Sequence, residues 1–262
     1  MTTAFLALWN DYPAAFADEY EAWHTFEHVP ERLTSPGIHA ARRYGSKGDG
    51  EVCRYFTLYE LDHLDALQHP HYLDLVRNPT PWSKKMRGHF SNVLRIPGDY
   101  IASGGRGTGA YAFVQAFSIG RSHAGAACLQ LGLSLHDLVS CGQVLAYRIG
   151  LAEPNQPYEV FEQEPQTDAD RLVAVVLVES SDRRGLEQIQ PTLAAVARDV
   201  LRPAEQLRDG HFKLLVGFPA EEAPNNRSEI MAGEMLRSRF NTPADDRADP
   251  VAVAYTTARP GS

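Results

Sequence analysis

Cysteine is scarce and irregular in this chain. Its 262 residues hold three, Cys53, Cys128 and Cys141, an odd number, widely spaced and never in a CxxC pair. That pattern argues against a disulfide framework and a structural zinc site, and a reducing cytoplasm is the expected compartment. Positive charge is short as well: 25 Lys plus Arg against 33 Asp plus Glu leave a net −8. Binding nucleic acid requires a basic footprint that releases counterions from phosphates, so no nucleic-acid partner is expected. Nor is there polybasic attraction to anionic lipid. Long apolar runs are missing, since nothing approaches the ~18 residues of a membrane span. The segment MTTAFLALWNDYP has no basic region before its apolar stretch and no small-residue cleavage site after it. It reads as a first strand, not a signal peptide. What is plentiful is core material: 44% of residues are hydrophobic and 22% charged, which excludes disorder throughout. At ~100–200 residues per domain, the chain makes one large domain or two modest ones.

The element order carries the fold. Phe5 to Asn10 is a strand, and PAAFADEYEAWHTFEHVPERL a helix that opens on Pro13 and stops at Ser35-Pro36-Gly37. Ile38–Tyr44 and Cys53–Leu61 read as strands joined by a Gly-rich turn. A second helix opens at Asp62-His63 and reaches about Arg77; NPTPWSKKMRGHF is irregular or helical, and Asn92–Ile96 is a fourth strand. This is the β-α-β-β-α-β, ferredoxin-like order. The glycine-dense stretch 101–109 (IASGGRGTG) reads as a linker. The order then repeats: strand Ala112–Ile119, helix His123–Val139, strands Val144–Leu151 and Leu172–Glu179, helix Leu186–Leu201 interrupted by Pro191, strand Phe212–Phe218. The second strands echo each other, AARRYG against LAYRIG.

The expectation is therefore an α+β protein of two tandem ferredoxin-like units, residues 1–100 and 110–220, forming an α+β barrel with a small-molecule pocket between its two sheets. Residues 221–262 turn rich in Pro, Asn, Asp and Arg and read as an arm that packs on a neighbour or is partly disordered, with EIMAGEMLRSRF as a helical candidate and VAVAY as a strand.

The first helix offers the sharpest local signal. At ~100° per residue from Phe16, Tyr20, Trp23 and Pro30 fall within about 40° and mark a buried stripe, and Glu27 falls at about 20°, in its middle. A carboxylate there must be paired or protonated, because burying it alone costs several kcal/mol. His24 is within reach, as are Arg42, Tyr44 and Arg54 from neighbouring strands. One reading makes His28 and His24 proton carriers titrating near neutrality, with Glu27 orienting an imidazole. The other makes Glu27 one end of an ion pair that fixes the helix. On the strands, Arg42 and Tyr44 share a face, with Arg54 placed to sit across from them, and Trp9 lies on one face of the first strand. An inward Arg and Tyr would bind a carboxylate or phenolate oxygen.

The segment EAWHTFEHVPERLTSPGIHAARRY, through Trp23, His28, Pro30, Pro36 and Gly37, resembles the W-x(4)-H-x-P pattern and PG turn of EthD-like members of the dimeric α+β-barrel superfamily. NPTPWSKKMRGHFSN looks like the end of the first unit in two-unit relatives of that group. The resemblance covers about residues 4–96 and reaches the second half only by element order. It implies the fold strongly and the reaction weakly, the superfamily holding cofactor-free monooxygenases, isomerases, polyketide cyclases, dehydratases and haem enzymes. It also implies a functional histidine at His28. The expected activity is metal-independent acid–base chemistry, as a lyase, isomerase or cofactor-free oxygenase, on a small aromatic or polyketide-like molecule. No cofactor is expected, and a second copy of the chain is the protein partner to consider. A non-enzymatic small-molecule binding or stress-response module is the alternative. Haem is a second one, with His123, His136 or His211 as axial ligand. His63, His69, His71 and Asp74 lack the geometry of a metal cluster, being broken by Pro70. GGRGTG lacks the Gly-Lys-Ser/Thr ending of a phosphate loop.

Overall fold

The computed structural model describes residues 3–46, 53–154, 158, 160, 168–230 and 232–241. The strands are β1 (Ala4–Asp11), β2 (Ile38–Gly45), β3 (Tyr55–Leu61), β4 (Ser91–Gly105), β5 (Tyr111–Gly120), β6 (Ala146–Ala152), β7 (Arg171–Ser180) and β8 (Glu205–Phe218). They close into an antiparallel barrel in the order β1-β3-β2-β8-β5-β7-β6-β4. Two strands make the closure. β4 pairs with β1 as far as Asp99 and with β6 from there on. β8 pairs with β5 up to Lys213 and with β2 beyond it. The stretch 101–105, expected as linker, is therefore strand, because β6 supplies it with a partner; only the residues between β4 and β5 connect. VAVAY lies outside the described residues.

Strand alternation sorts the side chains into an inner and an outer set. Phe5, Ala7 and Trp9 of β1, Phe56 and Leu58 of β3, Leu94 and Ile96 of β4, Ala112 and Val114 of β5, Val175 and Leu177 of β7 and Phe212 of β8 pack inside the barrel. Trp9 lies 4.7 Å from Phe56, ring to ring, and Phe56 lies 5.6 Å from Phe212. Aromatic rings from both halves fill the middle of the barrel, and the space expected between the sheets is found at one end of it, as an open cavity of about 680 Å³ lined by Arg42, Glu60, Tyr100 and Arg148. Phe5 occupies the room that two glycines leave. A Cβ on Gly150 would stand 2.0 Å from its ring, and one on Gly98 would stand 2.7 Å from the ring and 2.6 Å from the Leu151 carbonyl oxygen. Gly150→Ala is expected to overpack the core at a cost of about 1–3 kcal/mol, read as a lower urea midpoint. A variant as stable as the parent would contradict this account of the glycine.

The outer sheet faces carry the helices. On the second half, α5 (Ala124–Ser140) and α6 (Arg183–Leu201) cover Phe113, Phe117, Tyr147, Ile149, Val176 and Val178. Asp182 caps α6 by accepting from the Arg184 and Gly185 amides, and the helix runs through Pro191 without a break. On the first half the layer is α1 (Ala17–Trp23), a π-helical turn at His24–His28, α2 (Val29–Leu33), α3 (Pro70–Arg77) and α4 (Pro81–Arg87). NPTPWSKKMRGHF thus contains a true helix, α4, capped by the Thr80 hydroxyl on the Ser83 amide. The π turn follows from Pro30, which brings no N–H to the helix and whose ring would strike the Phe26 carbonyl in an ordinary turn.

The segment after β8, with α7 (Glu234–Arg239), packs on this chain's own first half. Phe240 stacks on Trp82 at 6.0 Å, Lys85 donates to the Phe240 carbonyl at 3.1 Å, and Arg237 and Arg227 reach two buried glutamates of the first helix. No helix among the described residues is long and apolar enough to cross a membrane.

Candidate functional site

The π turn decides where the sequence-selected residues point. His24 and His28 come together, ring centroids 5.0 Å apart, with the Trp23 ring 4.5 Å from His28. Trp23 itself is fully buried and donates from Nε1 to the Ser83 hydroxyl at 3.1 Å. Both imidazoles line a pocket between the helices and the outer face of the sheet. Its other walls are Leu6 and Leu8 of β1, Thr57 and Tyr59 of β3, Arg95 of β4, Arg32 of α2, Tyr72 of α3 and Arg87 of α4, closed by Phe90 and Tyr158. The interior holds about 40 Å³. That is room for about three waters, at ~10–15 Å³ each, so a ring-sized ligand enters only if lining side chains change rotamer.

Glu27 is buried, as the helical projection requires, yet it does not face the histidines. It accepts from the Thr80 hydroxyl and from Arg237, at 2.8 Å to Oε2. Burial raises its pKa, and Thr80 and Arg237 pull it back. The expectation that Glu27 orients an imidazole is overturned, because the widened turn swings it toward α4 and α7. The expectation of a histidine titrating near neutrality fails with it. Burial and then the Arg43 and Arg32 charges hold His24 well below 6.5, and burial, Arg32, His24, Arg87 and Arg43 do the same to His28. Both rings are neutral at pH 7, and each keeps a buried Nδ1 without a hydrogen-bond partner.

A consequence for stability follows. Unfolded histidines take up protons below about pH 6.5 and these two do not, so stability present above that pH is lost as pH falls. The slope approaches about 1.4 kcal/mol per pH unit for each ring. Urea unfolding between about pH 7.5 and pH 5.5 should show the decline, and His24→Phe with His28→Phe should remove most of it. Equal stability at both ends would contradict the burial of the neutral rings.

The strand candidates lie elsewhere. Arg42 and Tyr44 point into the barrel, on the opposite side of the sheet from the histidines, and cannot anchor a ligand beside them. Arg42 bonds Glu60 and, at 3.1 Å, Glu179; Arg148 bonds Glu179 at 2.7 Å; Tyr44 and Tyr100 donate to Glu179 and Glu60 at 3.1 and 2.9 Å. Glu179 is fully buried, and the Gly109 amide also donates to it. Trp9 points inward too. Arg54, expected across from Arg42, sits on the surface just before β3 with its guanidinium 5.7 Å from the Tyr55 ring; Leu58 is the residue opposite Arg42.

In their place stand residues that sequence reasoning passed over. Arg32, Arg87, Arg95, Tyr59, Tyr72 and Tyr158 come from α2, α4, β4, β3, α3 and the stretch after β6, and no spacing in the sequence links them. Arg95 lies 4.2 Å from the Tyr158 ring centroid. Burial works to raise the Tyr72 phenol, but the Arg95 and Arg32 charges and the bond from Tyr158 bring it below its ordinary value. The His63, His69, His71 and Asp74 group forms no metal site, and none occurs among the described residues. His71 instead meets the Thr34 hydroxyl at 3.0 Å.

Solved structures give the architecture a place. One described as an anthrone oxidase-like protein superposes with a TM-score of 0.60 over 84% of this chain and 94% of its own, at 9% identity. The chain has the dimeric α+β-barrel fold. A proposed monooxygenase from Lactobacillus acidophilus NCFM follows, with a TM-score of 0.47 and 8% identity over 83% of this chain and 97% of that one. A chlorite dismutase variant from Candidatus Nitrospira defluvii gives 0.47 and 11% over 85% and 94%. No family model and no curated protein matches the sequence. Identities this low speak for the α+β barrel alone and not for its chemistry.

Haem, bound by some α+β barrels, does not fit the histidines named for it. His123 is bonded to the Leu201 carbonyl at 3.2 Å, and His211 to the Gln190 side chain at 2.8 Å. His136 is exposed on α5. The pocket beside His24 and His28 is also far below the ~300 Å³ at which sites for drug-sized ligands begin.

Proposed function

We propose that this chain is an enzyme that removes a proton from a small carbonyl compound in the pocket beside the π turn, with His28 as base and His24 assisting. One observation carries the reading: two imidazoles held neutral, His24 buried and His28 half-buried, face a pocket whose other polar walls include guanidinium and phenol groups. A neutral imidazole can accept a proton, and the surrounding positive charge stabilises the enolate oxygen that results. The same first step serves an isomerase, a lyase or a cofactor-free oxygenase. In the last case the enolate reduces oxygen directly, so that a methylene group plus O2 yields a ketone and water. Tyr72, beside Arg95, is placed to bond the enolate oxygen. Membership of the EthD-like group and an origin by doubling of one unit belong to this proposal, supported by the Trp23–His28–Pro30 pattern and the matching strand order of the halves.

An anthrone is the first compound to try, since a structural neighbour with a TM-score of 0.60 is an anthrone oxidase-like protein. Oxygen uptake in air, and exchange of the acidic carbon-bound hydrogen in D2O without oxygen, measure the two stages separately. Exchange above the buffer rate supports the reading, and its absence over a panel of anthrones and 1,3-diketones would sink it. The small cavity favours a second reading, a non-enzymatic module for a ligand of few atoms. That reading expects ligand binding with no exchange.

A further inference from the structure

Among the described residues, the charges around the pocket do not balance. Arg32 and Arg87 both line it, Arg32 buried and Arg87 half-buried. The carboxylate that Arg32 meets among the described residues is Glu31, 3.6 Å from Nη1, and Glu31 also bridges Arg227 at 2.6 Å. Arg87 spends Nη1 and Nη2 on the Val76 and Leu75 carbonyls, 2.6 and 3.2 Å away, which are neutral. Among the described residues, Arg32 Nη1, whose ion pair with Glu31 is too long for a hydrogen bond, and Arg87 Nε are buried donors without a hydrogen-bond acceptor. Such donors are rare in native proteins, and each carries the desolvation penalty of an unmade bond to a charged group. The two guanidinium groups also repel each other: burial first, then the Arg32 charge, brings Arg87 down to about 10.

We infer that the pocket holds a permanent anion of its ligand, a carboxylate, between Arg32 and Arg87, with the His24 and His28 rings as the adjoining wall. This deepens the functional reading above and rests on the same pocket. A transient enolate alone does not account for the arrangement, since it appears only during turnover, whereas the two unpartnered donors face each other's charge in the resting protein. A carboxylate accepts from both and supplies the missing negative charge. It also orients the reacting carbon relative to His28, which an apolar ring in an apolar pocket would not.

Acetate is small enough for the cavity as it stands, and acetamide is its neutral counterpart. On the full chain at matched ionic strength, acetate is expected to raise the melting temperature and to shift the His28 ring signals, and acetamide to do neither. Arg87→Gln should weaken acetate binding about tenfold or more, the loss expected for a charged hydrogen bond. Arg32→Gln gives the same test if the first variant fails to fold, and Arg121→Gln, on the exposed surface of the other half, should bind as the parent does. Equal responses to acetate and acetamide, or unchanged binding in a folded Arg87→Gln or Arg32→Gln variant, would overturn the inference. His28→Ala separates it from the catalytic reading. Acetate binding that persists in His28→Ala, with no carbon-acid exchange in the parent, upholds the anion site and removes the enzyme.

Discussion

Glu179→Ala is expected to remove about 3–5 kcal/mol of stability, the effect of stripping one partner from a buried ion pair. The carboxylate is wholly enclosed and serves Arg42, Arg148, Tyr44 and the Gly109 amide at once. Its loss leaves Arg42 inside the barrel with Glu60 as its remaining counter-charge. It also strips the polar end of contacts that cross between halves, since Arg42 belongs to the first half and Glu179 to the second. Glu179→Gln keeps the shape and should fall in between. Replacing Glu179, Arg42 and Arg148 together by apolar residues should recover much of the loss, because buried charges removed as a set take their desolvation penalty with them. Urea unfolding measures all three variants, and a loss below about 1 kcal/mol for Glu179→Ala would show the network to be solvated.

His28→Ala is expected to lower turnover by about 10²- to 10⁴-fold, the range for loss of a general base. Glu27→Gln should change turnover far less, because Glu27 meets Thr80 and Arg237 and not the imidazoles. The pH profile gives a second readout. A base held well below 6.5 stays unprotonated through neutrality, so the rate should remain level down to pH 6.5 and fall only in more acid solution. A midpoint near 6.5 would mean that the ring is solvated, and wild-type turnover in His28→Ala would end its role as base.

The architecture was legible in the sequence because it rests on order and alternation, which single residues report directly. The strand and helix sequence of both halves, the buried Glu27 and the stop at Ser35-Pro36-Gly37 all follow from local pattern. What alternation does not report is which face looks inward, and a slip of one residue exchanges the faces. The echo of AARRYG and LAYRIG aligns Arg43 with Arg148. The ladders match Arg42 with Arg148 instead: Arg42 stands opposite Leu58, two residues before Glu60, and Arg148 opposite Leu177, two before Glu179. Arg43 faces outward, to Glu21 and the Tyr20 ring. The candidate site residues were half legible. His24 and His28 stand on one helix, where spacing speaks, although Pro30 alters the angles that an ideal helix supplies. The arginines and tyrosines around them come from separate elements, and only the closed fold brings them into one wall.

Covalent continuity between the halves has a further effect on stoichiometry. An assembly of identical subunits repeats every cavity under its symmetry axis and must mutate all copies together. Here each half answers to its own codons. The layer beneath α5 and α6 is filled by apolar side chains such as Phe117, Leu131 and Leu193, while the matching layer of the first half keeps its histidines and arginines. Titration to saturation should therefore count one equivalent per polypeptide, with one half acting as scaffold for the other.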